Sequence, residues 1–141
     1  MPRRWLILAD DLTGAADCAI AFARQGMESV ATWGEGIRTI AASVLSVNVD
    51  SRNLPPRKAA ERQVSAQAAH WRPDVRLYKK IDSTLRGQPA AELAAQLSAL
   101  AADGRAPLAV VAPAFPTAGR VTLDGRIEVG VGRSHRGGDP T

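Results

Sequence analysis

The 141-residue chain alternates short apolar runs with longer stretches of helical spacing, and this alternation narrows its possible folds more than any other feature. Trp5 to Ala9, Ser29 to Trp33, Val44 to Val49, Val75 to Ile81 and Leu108 to Ala112 each have the length of a strand. Continuous apolar runs of this kind suit strands covered on both faces. Between them lie segments of helical character. Thr13 is positioned to cap a helix from Gly14 to about Gln25, and Gly26 to end it. Pro55-Pro56 opens a second helix, reaching Trp71 with Ala60, Val64, Ala68 and Trp71 on one face. Gln88-Pro89 opens a third, with Leu93, Leu97, Leu100 and Ala101 inward. Strands alternating with helices predict an α/β fold: a mostly parallel sheet with helices on both faces. Val121 to Val129 alternates around Asp124-Gly125, the start of a C-terminal β-hairpin.

Parallel strands carry their following loops to one edge of the sheet. Four polar clusters fall there: Asp10-Asp11, Asp50-Ser51-Arg52, Lys80-Asp82-Ser83 and Thr117-Gly119-Arg120. Open α/β sheets bind ligands outside the carboxyl ends of their strands. The densest cluster is Lys79-Lys80-Ile81-Asp82-Ser83-Thr84-Leu85-Arg86-Gly87, with cations, a carboxylate and hydroxyls in one loop. The set suits a small, anionic, hydroxylated ligand: Arg and Lys hold an acid group while Asp and Ser hold hydroxyls. Asp10 or Asp11 is a candidate contact, although an acid at a helix start also serves as a cap. Arg52 could clamp a carboxylate with its two-pronged guanidinium. Alternation sends Lys79 and Lys80 to opposite faces, so simple solvation is one role open to either of them. Arg86 has a second role open to it as the partner of Asp82.

The remaining properties exclude several functions. A net charge of +4 with scattered basic residues and 4% aromatics is no footprint of nucleic-acid binding. One cysteine, Cys18, allows no internal disulfide and reads as a buried spacer in a small-residue helix. No apolar run has membrane-spanning length. Asp10, Asp11 and Asp17 interrupt what would otherwise mimic a signal peptide, so a cytoplasmic location is expected. Gly125 and Gly130 have the spacing that opens a phosphate loop, but no Lys-Ser/Thr follows, and no ATP site is readable. Residues 131–141 are polar, Gly-rich and aperiodic, which predicts a disordered tail.

Three runs in order carry a family resemblance: Ala-Asp-Asp-Leu-Thr-Gly-Ala-Ala-Asp at 9–17, Lys-Lys-Ile-Asp-Ser-Thr-Leu-Arg-Gly at 79–87, and Ala-Pro-Ala-Phe-Pro-Thr-Ala-Gly-Arg at 112–120. Together they resemble the four-carbon acid sugar kinases, in their N-terminal sugar-binding domain. The resemblance covers roughly residues 5 to 125. It implies an incomplete sugar-acid-binding domain over residues 1–130, and an ATP- and Mg²⁺-dependent activity on erythronate, threonate or their 3-oxo forms. It also implies ligand contacts at Asp10 or Asp11, Ser51, Arg52, Lys80, Asp82, Ser83 and Arg86, with no metal ligand from this chain. The family's nucleotide-binding domain has no counterpart here. A truncated product, inactive alone and prone to self-association, is therefore expected, with the nucleotide domain missing or on a separate chain. Two other functions compete: a non-catalytic sugar-acid-binding fragment, and a phospho-accepting receiver domain. Asp10-Asp11, Asp50 and Ser83-Thr84 mimic the receiver, but Pro113-Ala114-Phe115-Pro116 stands where its lysine would follow the fifth strand.

Overall fold

The computed structural model describes residues 4–33 and 42–130. The predicted tail at 131–141 lies outside the described residues. Four strands form one sheet: β1 (Arg4–Ala9), β2 (Ser29–Trp33), β3 (Val44–Asn48) and β4 (Val75–Lys80). All three pairings are parallel, in the order β2-β3-β1-β4. Helices α1 (Leu12–Ala23), α2 (Pro56–His70) and α3 (Pro89–Ala102) complete the α/β unit. A 3₁₀ turn, Pro116–Ala118, leads into the hairpin of β5 (Arg120–Leu123) and β6 (Arg126–Val129) around Asp124-Gly125. The mostly parallel α/β fold is as the alternation predicts.

The sheet is buried from both sides. Ile7 and Val44 meet Cys18 of α1 on one face, with Trp5, Phe22 and Met27 closing that cluster. Leu6, Leu8, Val47 and Val49 face the other way, toward Ala66 and Trp71 at α2 and Leu77 of β4. Helix α1 packs on β1, β2 and β3, whereas α3 packs on α2 behind the opposite face. The chain thus leaves β1 toward one face, and leaves β3 and β4 toward the other. Where loops diverge in this way the strand ends part into a crevice, and here it opens beside β1. The strand order also removes the receiver reading, which requires 2-1-3-4-5. Asp50, which that reading takes as the acid after the third strand, is exposed and paired with Arg62.

Several local expectations need correction. Asp11, not Thr13, caps α1: its side chain accepts a hydrogen bond from Gly14 N at 2.8 Å. The buried face of α2 is Ala59, Gln63 and Gln67, one position away from the apolar stripe of Ala60, Val64 and Ala68. In α3 the buried residues are Glu92 and Gln96 rather than the leucines. The two helices meet through a polar layer, in which Gln96 Nε2 donates to Gln63 Oε1 and Gln67 Nε2 to the Gln96 carbonyl.

Leu108 to Ala112 is not a strand. It borders an open space of about 430 Å³ that Leu77, Leu93, Leu97 and Leu100 also line, and it pairs with no strand of the sheet. Pro107 and Pro113 flank it and contribute no N–H donors. Leu108 and Val110 are consequently 91% and 88% exposed.

Leu8 is fully buried at the centre of the larger cluster. Leu8→Ala should cost about 2–5 kcal/mol in urea unfolding, the usual range for a core leucine that leaves a cavity. A loss below about 1 kcal/mol would contradict the packing described.

Candidate functional site

Three loops meet at the carboxyl end of the sheet, after β1, β3 and β4. Arg52, just beyond β3, joins them. Its Nε donates to Asp10 Oδ2 at 2.8 Å and its Nη2 to Asp10 Oδ1 at 3.0 Å, while Nη1 reaches Asp11 Oδ2 at 2.5 Å. The hydrogen bonding to the Asp10 carboxylate is the chief reason the guanidinium is held still more firmly protonated than usual. Asp82 Oδ1 stands 3.9 Å from Nη2 on the third side. The Asp10 carbonyl also accepts from Ser51 N and Arg52 N, so backbone and side chains tie the same two loops.

The loop from β4 to α3 is wound around Asp82. One carboxylate oxygen accepts from Thr84 N, Thr84 Oγ1 and Arg86 N, and the other from Arg86 Nη2 at 2.6 Å. These bonds, the Arg86 side chain foremost, hold the Asp82 carboxyl far below the ordinary carboxylate range. Leu85 sits at φ 58, a left-handed conformation that a leucine rarely adopts. Gly87, at φ 85, packs directly on the Asp10–Arg52 pair: a Cβ there would come within 3.1 Å of Asp10 Oδ2 and 3.4 Å of Arg52 Cγ. Only glycine permits that approach without a shift.

The two lysines take different faces, as alternation predicts, yet neither is left to solvent. Lys79 turns under the sheet to an ion pair with Glu92 at 2.6 Å, its side chain 8% exposed. Burial lowers its pKa and Glu92 opposes that shift. Lys80 points the other way and donates to the Ile81 carbonyl at 2.8 Å. It lies along the first turn of α1 because Gly14 leaves room, a Cβ there falling 3.3 Å from Lys80 Cγ.

A cleft of about 630 Å³ opens between α1, β4 and the segment from Ala112 to Phe115. Of the residues implied as ligand contacts, Asp11, Arg52, Lys80, Asp82, Ser83 and Arg86 line it. Asp10 and Ser51 do not. Asp10 is buried beneath Arg52, and Ser51 is fully buried with its hydroxyl turned to Glu92 Oε1 at 2.5 Å and accepting from Gln63 Nε2 at 3.1 Å. Both stand behind the wall of the cleft and hold it. Arg120, outside the implied set, lines the cleft and donates to Ser83 Oγ at 2.8 Å. Its place in the fourth strand-end cluster was the available signal. Glu92 gave a weaker one: Lys79 occupies the apolar side of β4 with Val75 and Leu77, and a lysine there needs a buried carboxylate. Cys18 reaches the cleft wall, but burial raises its thiol pKa and leaves it inert.

Charged groups surrounding a cleft at the strand ends of a parallel sheet define a binding domain for small polar ligands. The family model described as "Sugar-binding N-terminal domain" matches residues 5–138, and the chain belongs to that family. The match runs past β6 into the residues expected to form a tail. A D-threonate kinase from Cupriavidus necator is 50% identical over 124 residues, covering 86% of this chain and 28% of the relative. A D-erythronate kinase from Heliobacterium modesticaldum is 39% identical, covering 88% and 29%. A 3-oxo-tetronate kinase from Methylobacterium radiotolerans is 33% identical, covering 87% and 30%. A solved structure of a domain of unknown function from Bordetella bronchiseptica, a domain-swapped dimer with bound citrate, superposes with a TM-score of 0.73 at 38% identity. The superposition covers 91% of this chain and 34% of that one. The chain thus spans less than a third of the length of these kinases, over their N-terminal sugar-binding part. No helix among the described residues is long and apolar enough to cross a membrane.

Because the folded-state pKa of Asp82 is depressed, its ionisation stabilises the fold fully above the unfolded value of about 3.9 and progressively less as pH falls below it. Urea unfolding of the wild type and Asp82→Asn at stepped pH should show the wild type ahead at pH 7, with the gap narrowing below about pH 4. A gap constant down to pH 2.5 would contradict this role for the carboxylate.

Proposed function

We propose that this chain is the acceptor-binding part of an ATP-dependent cytoplasmic kinase acting on a four-carbon sugar acid, with D-threonate the leading candidate. The observation that carries the reading is the convergence of Asp11, Lys80, Asp82, Ser83 and Arg86 on one cleft at the parallel strand ends. The 50% identity to a D-threonate kinase favours that acid over erythronate and the 3-oxo form. In this reading Asp11, Arg52, Lys80, Asp82, Ser83 and Arg86 face the acid, and Asp10 and Ser51 hold them in place. Carboxylates already charged at neutral pH accept hydrogen bonds from substrate hydroxyls. The bonds within the β4–α3 loop fix Asp82 before the substrate arrives, which reduces the ordering cost of binding.

ATP with Mg²⁺ would supply the transferred phosphoryl group. Among the described residues no group of three His, Cys, Asp or Glu side chains could hold a metal ion. The sequence likewise offers no phosphate loop. The nucleotide site is therefore assigned to the further length of the relatives, on the same polypeptide or a separate chain. Phosphoryl transfer depends mainly on positioning and on charge stabilisation, and this domain contributes the positioning. The exposed Leu108, Val110 and Val111 side chains form an apolar surface for the rest of the kinase or for a second copy of this chain.

Calorimetric titration of the 141-residue chain tests the reading. Saturable heat is expected with D-threonate, with affinity reduced at least tenfold in Asp82→Ala and no ADP released when ATP is added. A cooperatively folded sample giving no heat with D-threonate, D-erythronate or a 3-oxo-tetronate would contradict it.

A further inference from the structure

Five cations line the cleft, and their partners divide them. Arg52 is neutralised by Asp10 and Asp11, and Arg86 by Asp82. Lys80, Arg120 and Arg24 form no ion pair among the described residues. Arg24 is exposed at the far end of α1, a 12-residue helix about 18 Å long. Lys80 and Arg120 are half-buried and stay near the strand ends. Their anchors are only two residues apart: Lys80 Nζ on the Ile81 carbonyl and Arg120 Nη1 on the Ser83 hydroxyl, both at 2.8 Å. Both anchors are neutral acceptors, so two half-buried positive charges line the cleft with no ion-pair partner among the described residues. Lys80 also lies against the first turn of α1, at Gly14, beside the Asp11 carboxylate that caps the helix.

We infer that Lys80, Ser83 and Arg120 form the subsite for the acid group of the ligand, a carboxylate, and that Arg52 does not bind it. This inference rests on the acid-sugar reading above and sharpens it. The ligand's carboxylate supplies the missing negative charge, accepting from the ammonium and from the guanidinium N–H groups that Ser83 leaves free. Asp11, Asp17 and Asp82 on the remaining cleft wall repel a carboxylate and accept from hydroxyls, so the ligand has one orientation. Arg120 arrives at the start of β5, beyond the 3₁₀ turn, which gives the hairpin a role in binding.

The test is titration of the folded chain with D-threonate, its uncharged analogue D-threonamide, and inorganic phosphate. The wild type should bind D-threonate at least tenfold more tightly than the amide. Arg120→Ala and Lys80→Ala should each remove most of that difference, weakening D-threonate far more than the amide. Arg120→Lys should restore part of it. Arg24→Ala, which lowers the charge of the cleft wall equally, should leave it intact, and thermal melting confirms that each variant is folded. Variants that keep the wild-type preference for the acid would overturn the subsite and leave the acid-sugar reading standing. Phosphate binding that needs both cations, with no preference for acid over amide, would overturn the carboxylate assignment. A wild type that binds none of the three would overturn both readings.

Discussion

The two-pronged contact of Arg52 with Asp10 is the interaction on which the site depends. It is made almost without water, Asp10 being 3% exposed, and it joins the end of β1 to the loop after β3. Gly87 then rests on the pair and brings in the loop after β4. A buried pair of this kind adds little to stability over a well-packed apolar alternative. Its effect is specificity of arrangement. With one partner removed, the other charge is left nearly dry beside the remaining acids, and the three loops have no common reference. The pair also occupies a guanidinium that sequence alone would offer to a ligand's carboxylate.

Behind this pair lies a second polar layer. Ser51, next to Arg52, is bound to Glu92 of α3 and Gln63 of α2, and Glu92 is bound to Lys79 of β4. The connection runs from the strand-end loop through both helices and back to the strand that carries Lys80. Hydrogen bonds in such surroundings are strong when satisfied and costly when broken. The cleft wall therefore sits on a polar layer that admits few alternative arrangements, and in the proposed function positioning is what this domain contributes to phosphoryl transfer.

Most of the fold was readable because apolar runs and helix-opening prolines mark parallel strands and their crossovers plainly. The four strands of the sheet, the three helices and the hairpin lie where the pattern puts them, within a few residues at their ends. Leu108 to Ala112 failed because a strand needs a paired neighbour as well as an apolar sequence, and this segment pairs with no strand of the sheet. The inner faces of α2 and α3 failed because Gln63, Gln67 and Gln96 bond to one another and Glu92 to Ser51 and Lys79, which no hydrophobic period reveals. Within the site, the type and loop position of Asp11, Lys80, Asp82, Ser83 and Arg86 were legible. The commitment of Arg52 and Ser51 to other protein groups was not, since it depends on which side chains face each other across strands.

The central claim is that the cleft takes a four-carbon acid without opening the Asp10–Arg52 pair. A crystal structure of the chain with D-threonate tests it most directly. The account predicts the acid between the β4–α3 loop and the 3₁₀ turn, its carboxylate at Lys80 and Arg120 and its hydroxyls toward the acidic wall, with Arg52 still held by Asp10. A carboxylate seated on Arg52 in place of Asp10, or an acid bound anywhere other than this cleft, would contradict it.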